Sequence, residues 1–378
     1  MTDAISLIGG TVLTPDGGLG VADVHIADGL IVGTAPQNAT RIDCRGRHVL
    51  PGIVDVHGDA FEVELHPRPG VEMDFRIAMG SVDKQLVMNG ITTAFHGLSV
   101  SWEPGARGLP AARQFMEGIR ALRPRLIANH HVQLRWETFA HDTIDDLAGW
   151  LSHGPTPSIA FNDHATETLD TLRAGGQATL DRWARRAGVS LSDYVAAAEL
   201  AAARAPDVPA KIEEVAALAQ SHGAIMLAHD ESTVSDREAH RALGMRVSEF
   251  PLSSEVATDA VAKGEHVVMG APNTLRRRSH KGNLSAEDAI RDGLCTVLAS
   301  DYYYPSLFHA AERLTQRGVL PLSDAWTLIA GNPAAAMGLT DRGQISPSRR
   351  ADIVVVDCSD DWRLTHTMIG GRVINLGG

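Results

Sequence analysis

From residue 51 onward, short apolar runs alternate with longer stretches of helical periodicity, and this alternation restricts the fold more than any other feature. The runs at 53–57, 91–96, 132–135, 158–161, 224–227, 267–269 and 296–299 read as strands. Helical stretches separate them, near 78–89 and 111–122 among others. Strands joined through helices lie parallel, as βαβ units. About eight such units predict an α/β fold, a closed (β/α)8 TIM-like barrel, which takes roughly 250 residues. The chain has 378 residues, so it carries additions to that barrel.

The additions lie at both ends and in the middle. Residues 1–50 read as short strands broken by turns, with Gly9-Gly10 interrupting the first and Asp28-Gly29 marking a hairpin. Ala351–Asp357 and Arg372–Asn375 return to β character. Residues 1–50 and 340–378 are therefore expected to form one small β-sandwich domain, beside a barrel of residues 51–339. The segment near 165–222 is almost wholly helical in pattern and longer than one barrel helix requires. It reads as extra packing helices, and in a sharper version as a lid or a subunit contact. Ser323 is expected to cap a helix Asp324–Ala330, interrupted at Asn332-Pro333.

Composition removes several classes of function. Net charge is −12, from 34 Lys and Arg against 46 Asp and Glu, and no basic run exceeds Arg276-Arg277-Arg278. A nucleic-acid binder shows a basic face, so that class is disfavoured. Cys44, Cys295 and Cys358 lie far apart without a CxxC pair, which argues against thiolate zinc ribbons and a disulfide scaffold. No signal peptide is evident, and no apolar run nears the ~20 residues that span a bilayer. The expectation is a cytoplasmic protein whose partner is a small molecule, not nucleic acid or membrane, with homo-oligomer formation left open.

The 17 histidines matter through their positions. His57-Gly58-Asp59 ends the first barrel strand, where alternation puts side chains 57 and 59 on one face. The C-terminal mouth of a parallel barrel is where active sites form. Imidazole and carboxylate together suit zinc, manganese or iron, although a lone HxD is equally a surface turn. Other strands end alike, in Glu137, His164, His229 and Asp301. Each alone reads as structural. In barrel order they predict a metal site of His57, Asp59, Glu137, His164, His229 and Asp301. Barrel hydrolases with two metals often bridge them by a carboxylated Lys or a Glu. The lysines here are Lys84, Lys211, Lys263 and Lys281, which leaves Glu137 as the expected bridge. Asp163 competes with His164 or orients it. Two divalent ions sharing a water lower its pKa toward ~7, and Asp301 stands where a general base would take its proton. The reaction class is metal-assisted hydrolysis. His96 and His130-His131 read as core or supporting residues, and Cys295 as buried core.

At these residues the chain resembles the amidohydrolase superfamily, through Leu50-Pro51-Gly52-Ile53-Val54-Asp55-Val56-His57, Gly331-Asn332-Pro333-Ala334 and Arg350-Ala351-Asp352-Ile353-Val354. HxD in place of HxH, with Pro67-Arg68-Pro69-Gly70, Asn89-Gly90-Ile91-Thr92-Thr93, Met269-Gly270-Ala271-Pro272-Asn273, Ser279-His280-Lys281-Gly282-Asn283 and Ser300-Asp301-Tyr302-Tyr303, is similar to one family within it. That family is the phosphonate-metabolism diphosphatases of the carbon–phosphorus lyase pathway. The resemblance implies hydrolysis of α-D-ribose 1-methylphosphonate 5-triphosphate to the 5-phosphate and pyrophosphate, with two divalent metals per chain. It also implies that the substrate's anionic groups meet Arg68, Arg276, Arg278, His280, Lys281 and the Tyr302 hydroxyl. Arg grips phosphate bidentately and Lys acts as a point charge. The alternatives are a deaminase or cyclic amidase of the same superfamily, and a member without metals used for assembly.

Overall fold

The computed structural model describes residues 4–68, 70–276 and 284–376. The chain begins with β1 (Ile5–Leu13), β2 (Leu19–Ala27), β3 (Leu30–Val32), β4 (Thr40–Asp43) and β5 (His48–Pro51). Gly9-Gly10 does not end β1. The strand continues through it with a register shift against β2 between Leu7 and Gly10, a bulge in place of the expected break. Asp28 (φ 50°) and Gly29 (φ 79°) turn β2 into β3, as a hairpin of this type demands.

Next come β6 (Ile53–Gly58), β7 (Ile91–Val100), β8 (Asn129–Glu137), β9 (Ser158–Asn162), β10 (Met226–His229), β11 (Val247–Glu249), β12 (His266–Gly270) and β13 (Val297–Ala299). They pair in chain order, every neighbour parallel, as one eight-stranded sheet among the described residues. The last strands, β14 (Ile353–Asp357), β15 (Arg363–Ile369) and β16 (Arg372–Asn375), rejoin the first five in a mixed sheet of order β16-β15-β14-β5-β1-β2-β3, with β4 on β1. The fold is a TIM-like barrel with a separate sheet built from both ends of the chain.

The barrel interior is packed with apolar side chains from facing strands: Val56, Phe95, Ala160, Leu227, Val247, Val268 and Val297. β8 contributes Gln133, whose Nε2 donates across the barrel to Glu249 Oε1 at 2.7 Å. Outside run α1 (Phe61–Leu65) and α2 (Phe75–Met88) after β6, α3 (Leu109–Leu122) after β7 and α4 (Ile144–Leu151) after β8. The β9–β10 connection holds α5 (His164–Arg173), α6 (Gln177–Ala187), α7 (Leu191–Ala202) and α8 (Val208–Ser221). Caps explain several starts: Asp74 accepts from Ile77 N, Asp163 from Thr166 N and Ser190 from Asp193 N. Ser323 does not cap. It lies inside the helix Leu322–Thr327, which Pro321 precedes. No helix among the described residues is long and apolar enough to cross a membrane.

β13 meets β6 through a single bridge, Gly58 to Asp301, with Asp301 N donating to His57 O and Asp59 N to Asp301 O, both at 2.9 Å. The Asp55 carboxylate reinforces this seam. It is fully buried and accepts from Ser300 N at 2.9 Å and Ser300 Oγ at 2.5 Å. Burial pushes its carboxyl above the ordinary value. Gly58 is required beside it, because a Cβ there would stand 2.7 Å from Asp55 Oδ2. Asp55→Ala strands both Ser300 donors away from water, and we expect unfolding free energy in urea to fall by about 2–4 kcal/mol. A loss under about 0.5 kcal/mol would show that the seam does not rely on this carboxylate.

Candidate active site at the barrel mouth

The ends of β6, β10, β11 and β13 converge at the C-terminal mouth. His57, Asp59 and Asp301 form one group whose potential ligand atoms lie within 4.8 Å of one another, and His57, His229 and Glu249 form a second. The register of β6 against β7 slips between Asp55 and Gly58, so His57 and Asp59 do not sit on an unbroken pleat, yet both reach the same group. Glu137 and His164 form a third element beside these. His164 Nδ1 lies 2.6 Å from Glu137 Oε1, and the His164 backbone N–H donates to Glu137 Oε2 at 2.8 Å. The His164 and His229 rings are 6.5 Å apart, which joins this pair to the rest. Asp163 is occupied as the cap of α5, so it is Glu137 that orients His164.

Glu249 escapes a reading of apolar runs because β11 is three residues long and carries Ser248 at its centre. The signal that finds it is the one that finds the others, a carboxylate closing a strand at the mouth. Its Oε1 lies 3.1 Å from His57 Nδ1 and accepts from Gln133. Its Oε2 is buried, lacks a hydrogen-bond partner among the described residues, and stands 3.9 Å from His229 Nε2. An orphaned buried carboxylate oxygen facing an imidazole is costly unless a cation joins them. The donor set of two imidazoles and three carboxylates thus fits divalent zinc, manganese or iron.

Electrostatics bear on loading. Burial opposes charge on His57, but Glu249 outweighs it and holds the imidazole above its ordinary pKa. Burial and then the Asp59 carboxylate push Asp301 up to about 6. Burial likewise opposes charge on Glu137, but His164 holds it below the usual carboxylate range. Arg135 on β8 and Arg107 after β7 bring cations to the same place, 3.7 and 4.0 Å from Asp59 Oδ2. A Cβ on Gly97 would lie 3.2 Å from Arg135 Cδ and 3.4 Å from His57 Nε2, so glycine there keeps these two close to β7.

Of the residues expected to bind substrate, Arg68 is exposed on the rim of a cleft beside the mouth. Arg276 is exposed, with Nη1 donating to the Tyr302 hydroxyl at 3.3 Å. Arg278, His280 and Lys281 lie outside the described residues. His96 and His130 face away from the mouth, in a chain where Asp83 Oδ1 lies 3.0 Å from His130 Nε2 and His130 Nδ1 lies 2.8 Å from His96 Nε2. Cys295 is buried, with its thiol pushed up to about 12, so it is no nucleophile.

The fold and this ring of candidate ligands at the strand ends define a class, and the family comparison agrees: the chain belongs to the amidohydrolase family, whose model matches residues 48–374. Among individual proteins, it is 30% identical to α-D-ribose 1-methylphosphonate 5-triphosphate diphosphatase of Escherichia coli K12, over 85% of this chain and 86% of that one. It is also 25% identical to an adenine deaminase of Cereibacter sphaeroides, over 94% of this chain but 55% of the deaminase, so it spans about half of that relative's length. A crystal structure of an amidohydrolase superposes with a TM-score of 0.67 at 15% identity, covering 98% of this chain and 99% of the other, a likeness of fold.

A proton on Asp301 or His57 competes with a metal ion for the same atoms. Because both pKa values are raised, the proton is held to higher pH than usual, and metal affinity falls as pH drops through about 6. Metal content after dialysis at pH 5, 6 and 7.5 should show this loss. Glu249→Gln should lower metal affinity by about 10- to 100-fold at pH 7.5. Unchanged metal content in that variant would remove Glu249 from the ligand set.

Proposed function

We propose that this chain is a metal-dependent diphosphatase that hydrolyses α-D-ribose 1-methylphosphonate 5-triphosphate to the 5-phosphate and pyrophosphate. His57, Asp59, Glu137, His164, His229 and Asp301 would hold two divalent ions, zinc or in its place manganese or iron, with Glu249 added to that set. When bound, such ions neutralise phosphoryl charge and make water a nucleophile near neutral pH. Asp301 would take a proton from the attacking water. Water oxygen bonds to the phosphorus nearest the ribose, the bond from that phosphorus to the bridging oxygen breaks, and pyrophosphate departs. Arg68, Arg276, Arg278, His280, Lys281 and Tyr302 would bind the substrate's anionic groups.

The observation that supports this reading over purine deamination is the pair of guanidiniums, Arg135 and Arg107, beside Asp59. A neutral base has no use for them, whereas a transferring phosphoryl group does. The reading includes a domain division with residues 1–50 and 340–378 apart from 51–339. It also includes a reducing, cytoplasmic setting, which the three free cysteines suit.

Metal-reconstituted protein should release pyrophosphate from the 5-triphosphate, and Asp301→Asn should lower kcat by about 10²- to 10⁴-fold with metal content checked alongside. Adenine deamination without pyrophosphate release would replace this reading by the deaminase one.

A further inference from the structure

A cleft of about 900 Å³ opens beside the mouth, between the α1–α2 segment, the Glu103–Arg107 loop and α6. Arg107 belongs to both places: it lines the cleft, and its Nη2 lies 4.0 Å from Asp59 and 2.9 Å from Glu62. Its Nε is buried without a partner among the described residues, and so is the Nε of Arg135, a side chain only 8% exposed. On the far wall α6 presents Arg182 and Arg186. Among the described residues no carboxylate lies within 4 Å of Arg182, and the carboxylate nearest Arg186, on Glu103, is 3.8 Å away. Arg107 is held charged by Glu62, Glu103 and Asp59, yet its Nε and that of Arg135 remain buried and unused, an arrangement that an anion completes.

α6 is fixed in this position. Gly105 has φ 75°, and a Cβ there would stand 2.0 Å from the Ala187 carbonyl oxygen, so only glycine lets the end of α6 meet the β7 loop backbone to backbone. The following helix adds Tyr194, whose hydroxyl donates to Glu103 Oε2 at 3.1 Å and whose ring packs on Trp102. The helical segment in the β9–β10 connection is thus a built wall of the cleft.

We propose that Arg135, Arg107, Arg186 and Arg182 form a guanidinium track from Asp59 into the cleft that binds a phosphoryl or phosphonyl oxyanion of the substrate. This inference rests on the diphosphatase reading, whose substrate carries such a group at each end, and it assigns the insertion a part in substrate selection. Arg182 and Arg186 are exposed residues of α6, so glutamine at both positions leaves the fold intact.

The test titrates the metal-loaded full chain and its Arg182→Gln/Arg186→Gln double variant with inorganic triphosphate and, separately, with methylphosphonate. We expect at least one anion to bind the double variant about tenfold or more weakly, and the anion that loses affinity names the end of the substrate held. In parallel, KM for the 5-triphosphate should rise about tenfold with kcat within about threefold, and metal content unchanged. Both anions binding the double variant as tightly as the parent, or neither binding the parent, overturns the track. Absence of pyrophosphate release by the parent overturns the diphosphatase reading instead, while the titrations still decide the track.

Discussion

The site depends on how the barrel closes. Strand β13 has three residues and touches β6 at one bridge, too little ladder to hold the mouth by itself. The Asp55 carboxylate supplies the remainder, gripping the Ser300 backbone and hydroxyl from beneath. Ser300 immediately precedes Asp301, and Asp55 lies two residues before His57. One buried interaction therefore closes the fold and sets how far apart two of the candidate ligands stand. A buried carboxylate is costly to keep, and the donors around Asp55 offset that cost where the geometry of the mouth benefits most.

The mouth also stores backbone strain. Among the described residues, Asp230, Phe250 and Asp301 adopt φ of 54°, 56° and 56°, each just past the end of a barrel strand. Left-handed backbone costs an L-residue about 1–2 kcal/mol, and aspartate tolerates it better than phenylalanine. Phe250 is held there by its ring, which packs edge-on against His57 at 5.1 Å and His229 at 5.3 Å. These turns end β10, β11 and β13 abruptly, so that His229, Glu249 and Asp301 stop at the rim.

Much of this was legible in the sequence. Long apolar runs such as Ile91–Phe95 and Ser158–Phe161 announce parallel strands because both faces are buried, and strand ends bearing His or Asp announce the mouth. Val247-Ser248-Glu249 was not legible, since a three-residue strand with a central serine has no periodicity to detect. The missing eighth strand and the missing carboxylate, Glu249, were therefore one omission. Arg135 was hidden differently: it lies within the β8 run two residues before Glu137, and only the folded barrel brings its guanidinium to Asp59. The partnership of Arg107 with α6 joins segments about 80 residues apart, and no local pattern encodes it. Ser323 shows the opposite error, a good capping residue left uncapping because Pro321 had already begun the helix.

The placement of the two sheets has a consequence for how the chain reaches its native state. β5 pairs with β14, and Asp55 with Ser300, 245 residues away. On the ribosome β5 and β6 each emerge with one edge open, and the partners for those edges, β14 and the end of β13, follow only after nearly the whole barrel has been made, a delay on the order of tens of seconds. Loops this long make closure slow, and an open parallel edge is a template for pairing with another molecule. The nascent chain should thus be most vulnerable to misassembly late in synthesis, with the barrel complete but for its last strand, and a chaperone that shields β6 would act on the step that matters.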